Sequence, residues 1–120
     1  ILPMLLKNNY SDDEKYKNIK TINFIHSINN YRKLNVDCFA KFDLDVKFKN
    51  DMDIISESMN FFDLNIVLDD DKKNVSNSIK KDKSLFASYK KNKSKTLKYP
   101  HGKDSWDLFY QKFNTTIGKL

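Results

Sequence analysis

One cysteine, two prolines, two glycines, one tryptophan and one arginine among 120 residues leave little room for several classes of protein. Cys38 has no partner for an intramolecular disulfide, and neither a cysteine framework nor a zinc knuckle can be drawn, which favours a reducing compartment. With only Gly102 and Gly118, there is no glycine-rich loop to cradle a phosphate, and nucleotide-dependent enzymes are disfavoured. No apolar run approaches the roughly 18 residues of a membrane-spanning helix. Ile1–Leu6 is too short and wrongly flanked for an intact signal peptide. The opening Ile1-Leu2-Pro3 is expected of a piece of a longer polypeptide or of a processed form. Localisation stays open. An intracellular setting is favoured by the single thiol, whereas Asn9, Asn74, Asn92 and Asn114 each begin an Asn-x-Ser/Thr triplet that a secreted chain could have glycosylated.

What is present is enough for one core. The chain is 39% hydrophobic and 13% aromatic, at a length that suits a single domain over 1–120. Net charge is +6, unevenly spread. Residues 1–71 carry nine basic and thirteen acidic side chains, and residues 72–120 carry thirteen basic and three acidic. The lysine- and asparagine-rich composition looks like AT-rich coding, but drift alone does not separate the signs.

Ser11-Asp12-Asp13-Glu14 reads as a capping box, and Tyr16, Ile19, Ile22, Ile25, Ile28 and Tyr31 recur at helical spacing. This predicts a helix over 12–31, with a strand over Ile19–His26 as the alternative. Val36, Cys38, Ala40, Phe42, Leu44, Val46 and Phe48 alternate with polar residues, as do Phe62, Leu64, Ile66 and Leu68. Strands with one wet face imply antiparallel pairing. Residues 72–83 read as a short polar helix or loop with Val75 and Ile79 at helical spacing. Ser84–Lys90 and Lys95–Tyr99 read as a hairpin around Asn92. Asp104 then caps a last helix in which Trp106, Phe109, Tyr110, Phe113 and Ile117 form one stripe, implying deep packing, with Gly118 placed to end it.

The expected fold is α+β: a mostly antiparallel sheet of roughly four to five strands, a long N-terminal helix and a C-terminal Trp-bearing amphipathic helix. The order of elements also allows an RNA-recognition-like sandwich by analogy. The closing stretch "KTLKYPHGKDSWDLFYQKF" resembles the last third of a pleckstrin-homology domain over about residues 84–117. That resemblance implies a β-sandwich closed by a C-terminal helix, and an acidic membrane surface as a less favoured partner. The Lys/Arg-x-Arg cluster of phosphoinositide-binding members has no match before Tyr31.

Chemistry is sparse. Asp43, Asp45 and Lys47, or Asp45 with Asp70, Asp71 and Lys72, imitate a metal-dependent nuclease but fall on a solvated face. His26 and His101 have no nucleophile suggested by spacing, and neither a metal nor a small-molecule cofactor is expected. The basic segment dominates instead. Lys80, Lys81, Lys83, Lys90, Lys91, Lys93, Lys95 and Lys98, with Tyr89 as a stacking ring, make a candidate anion surface. The sequence therefore points to a non-enzymatic module binding a polyanion, foremost nucleic acid. The alternative is a protein-interaction module using an exposed strand edge and Phe39.

Overall fold

The computed structural model describes residues 10, 12–29, 32–35, 37, 51–69, 72–99 and 105–120. In chain order the elements are β1 (Ile22–Ile25), β2 (Lys33–Leu34), β3 (Met52–Asp53), α1 (Ile54–Phe61), β4 (Leu64–Val67), α2 (Val75–Lys81), α3 (Lys83–Lys91), a 3-10 turn (Lys93–Lys95), β5 (Thr96–Lys98) and α4 (Trp106–Ile117). Among the described residues, β1, β4 and β5 form a parallel sheet with β4 in the middle, and β2 and β3 form a separate antiparallel pair. Helices cross over between successive parallel strands, as that topology demands.

The sheet corrects the antiparallel expectation. All four residues of β4 are buried, the mark of a central parallel strand covered on both faces. Asn65 sits on the face that alternation assigned to water, yet it is buried. Its amide donates to the Met59 carbonyl at 3.0 Å, and its Oδ1 accepts from Asn23 Nδ2 at 3.0 Å. A satisfied amide in the core reads in sequence like a wet position.

The long first helix is also corrected. Asp13 closes one turn, accepting from the amides of Tyr16 and Lys17, and the chain then extends into β1. Thr21 is fastened to Asp63 Oδ2 through both its amide (2.7 Å) and its hydroxyl (2.8 Å), which sets the register of β1 on β4. Ser84–Lys90 belongs to α3 and not to a hairpin strand. Asp82 accepts from the Ser84 and Leu85 amides as its N-cap, and Leu85 and Tyr89 share its inner face at i, i+4 spacing. The expected strand over Val36–Phe48, with Cys38 and Phe39, lies outside the described residues apart from Asp37, as do Ser11, Asp104 and the Pro100-His101-Gly102 stop.

Two faces of the sheet are covered differently. Ile25 and Val67 are register partners and join Met59 of α1, Val75 and Ile79 of α2 and Leu85 of α3 in the buried core. The opposite face carries Ile22, Phe24, Leu97 and Tyr99. There Tyr99 contacts the rings of Phe24 (5.6 Å), Trp106 (5.1 Å) and Phe109 (6.0 Å), which brings α4 onto it. The deep packing expected of α4 does not occur, since none of its residues is buried.

Candidate active site

In an open parallel sheet, ligands bind in the crevice outside the carboxyl ends of the strands, where the intervening helices present their N-termini. A cleft of about 370 Å³ runs along β1 to that end. One wall is β1 and the residues following it, His26, Ser27 and Asn29. The other is α1, with Ile54 and Ile55 from its first turn and Phe62 just past its last. Asn23 ties the walls together, its amide donating to Ser58 Oγ of α1 at 3.0 Å as well as to Asn65.

Arg32 closes the mouth. Its Nε donates to Asp53 Oδ2 at 2.7 Å and its Nη2 donates to Asp82 Oδ2. Each carboxylate is also an N-cap: Asp53 Oδ1 accepts from the Ile55 and Ser56 amides at 3.1 Å, and Asp82 Oδ1 accepts from Ser84 (3.0 Å) and Leu85 (3.1 Å). The only arginine of the chain thus joins the first turns of α1 and α3. Its hydrogen bond to Asp53, helped by the charges of both carboxylates, raises its pKa against the cost of burial. Asp82 is held below the usual carboxylate range, first by the Leu85 amide and, against burial, by Arg32. One guanidinium facing two carboxylates has no positive charge left over, so the cleft suits an uncharged polar ligand.

A second knot fixes the ends of β4 and β5. Burial pushes the Asp69 carboxyl up, but the Ser76 hydroxyl and amide (2.9 Å) and the Lys98 ammonium (3.0 Å) outweigh it, and its pKa lies below the ordinary value. Lys98 Nζ also donates to Ser76 Oγ at 3.1 Å.

The lysines singled out in the sequence are divided by these contacts. Lys80 and Lys81 end α2, Lys83, Lys90 and Lys91 lie on α3, and Lys93 is in the 3-10 turn, all exposed. Lys90 stands 4.6 Å above the Phe86 ring. Lys95 is turned inward, donating to the carbonyls of Asn60 (2.9 Å) and Phe62 at the C-terminus of α1. Lys98 is taken by Asp69, and Tyr89 packs against the core. Phe39 lies outside the described residues, as do Asp43, Asp45, Lys47, Asp70 and Asp71 of the nuclease-like constellations. Among the described residues there is no group of three or more His, Cys, Asp or Glu able to hold a metal ion, and no helix long and apolar enough to cross a membrane. Sequence reasoning missed Arg32 with its two aspartates. The available signal was Asp-Ile-Ile and Asp-Lys-Ser at two helix starts, each an N-cap residue opening an apolar-periodic run.

Among the described residues the architecture is α+β, a three-stranded parallel sheet with crossover helices beside a two-stranded antiparallel pair, with the cleft at the carboxyl end of the parallel sheet. The family model described as the starch synthase catalytic domain matches residues 1–88, and the chain belongs to this glycosyltransferase family. No curated protein and no solved structure matches the chain. The family match overturns the expectation of a non-enzymatic, nucleic-acid-binding module. Within the lysine-rich second half, Lys95 is spent on carbonyls and Lys98 on a carboxylate, so its formal charge overstates what it can offer an anion.

Proposed function

We propose that the chain forms part of a catalytic domain that transfers glycosyl groups to a glucan, and that the cleft between β1 and α1 holds a sugar residue. The observation that carries this reading is the coincidence of the matched residues 1–88 with the elements that build the cleft. Its lining favours a sugar on chemical grounds. Ser27 and Asn29 offer neutral hydrogen-bonding groups to hydroxyls, and Ile54, Ile55 and Phe62 offer apolar surface to the C–H face of a ring.

In glycosyl transfer the acceptor oxygen bonds to the anomeric carbon, the bond to the leaving group breaks, and the acceptor proton passes to a base. His26 lines the cleft and is exposed to solvent, and it is the imidazole among the described residues that can take that proton. The test is binding of a malto-oligosaccharide followed by NMR, together with incorporation of labelled glucose from an activated donor. The reading expects Ile55→Trp, which fills the cleft, to abolish binding. It expects His26→Gln to retain binding and lower incorporation by about 100-fold. Absence of binding at millimolar sugar, or binding untouched by Ile55→Trp, removes the proposal.

A further inference from the structure

A second groove lies at the other edge of the sheet, in the part of the chain beyond the family match. The Tyr99 amide donates to the Val67 carbonyl at 2.8 Å. In the alternation of a parallel ladder, the amide and carbonyl of Lys98 therefore point away from β4, and β5 has no strand on that side among the described residues. α4 packs against β5. Two adjoining clefts of about 400 and 300 Å³ separate strand from helix, sharing Leu97, Leu108 and Lys112. The lining includes no carboxylate; of its two lysines Lys98 is held by Asp69, and Lys112 supplies the positive charge. Leu108 is 54% exposed within this groove. Residues 72–120 add a strongly positive field, with thirteen basic side chains against three acidic.

An outward-facing strand edge with no described strand beside it, an apolar helix wall and the positive charge of Lys112 together specify an occupant: extended, partly apolar and acidic. We propose that this groove binds an acidic peptide segment by strand addition to β5. Its backbone pairs with Lys98, its apolar side chains lie against Leu108 and Phe109, and its carboxylates lie beside Lys112. Because the groove is separate from the β1 cleft, the inference stands or falls independently of the sugar-binding reading.

The probe is a labelled acetyl-Glu-Val-Glu-Leu-Glu-Val-amide peptide, titrated against the protein by fluorescence anisotropy with Trp106 emission as a second readout. Two control peptides replace Glu by Lys, or carry N-methyl groups on alternate backbone nitrogens. The acidic peptide is expected to bind at least about tenfold more tightly than either control, since one lacks the charge match and the other lacks about two backbone hydrogen bonds. Lys112→Glu is expected to weaken it about fivefold and Leu108→Asp by a similar factor, with Lys80→Glu on α2 having no effect. Both groove substitutions are at exposed positions, and circular dichroism checks that the fold is retained. Equal affinity for the acidic and lysine peptides overturns the proposal, as does undiminished binding of the N-methylated peptide, which would mean charge attraction alone. Failure of the acidic peptide to bind also overturns it. So does concentration-dependent self-association that Leu108→Asp abolishes, which would assign the groove to a second copy.

Discussion

The cleft beside β1 and the groove beside β5 are built alike, each from an edge strand and one helix, yet they differ in how firmly the helix is held. α1 buries Met59 in the core, is capped by Asp53 at its start and by the Lys95 ammonium at its end, and is tied through Arg32 to α3. α4 buries none of its residues and rests on the sheet through the rings of Tyr99, Trp106 and Phe109. An apolar stripe is therefore not enough to anchor a helix. Anchoring comes from cavities filled on both sides and from polar groups satisfied at both ends. A firmly held wall suits a site that must orient reacting groups, and a lightly held one suits a surface that accommodates a partner.

Substitutions measured by denaturant unfolding sharpen this contrast. Met59→Ala is expected to cost about 3–4 kcal/mol, because it opens a cavity in a fully buried layer. Phe113→Ala on α4 is expected to cost about 1 kcal/mol or less. Equal losses at the two positions would mean that α4 is as integral as α1. Arg32→Met comes next, at about 3 kcal/mol, since Asp53 and Asp82 are left without their cation while still partly buried. The same change should loosen malto-oligosaccharide binding and leave peptide binding untouched. Lys95→Met should cost about 0.5–1 kcal/mol through the lost contacts at the C-terminus of α1.

Acid dependence separates the regions further. Asp69 has a pKa lower in the folded chain than in the unfolded one, so its stabilising contribution is complete above about pH 4. It is lost as pH falls through the folded value, because the unfolded chain takes up the proton first. Asp69→Asn should therefore flatten the fall in unfolding free energy between about pH 4 and pH 2. Asp82, also lowered, keeps part of the slope in that variant. An unchanged slope would show that the Asp69, Ser76 and Lys98 knot does not form.

Some of this was legible residue by residue. Trp106–Ile117 follows its helical period into α4, and Val75 and Ile79, read as a lone apolar pair, are both buried in α2. The direction of the sheet was not legible. Phe62–Leu68 alternates, and an alternating strand with asparagine at an outward position predicts water on that side unless one knows that Asn23 and Met59 will satisfy Asn65. β1 stood only as the alternative strand over Ile19–His26, because "INFI" fits a helical stripe as well as a strand, and only β4 alongside decides for the strand. The cleft depended on contacts between Arg32 and residues 21 and 50 positions away, a separation over which no local period operates.

The sequence by itself determined the apolar spacing of α4, the opposite charge of the two halves and the family match over residues 1–88. These depend on neighbours within a turn or two, or on composition, and need no partner from afar. Only the tertiary structure decided that the strands run parallel, that Asn65 is dry, that Lys95 and Lys98 face carbonyls and a carboxylate, and that Arg32 has no charge to spare. Each of these is settled by desolvation and pairing between groups distant in the chain, and the free energy of a polar group depends on what replaces the water it gives up.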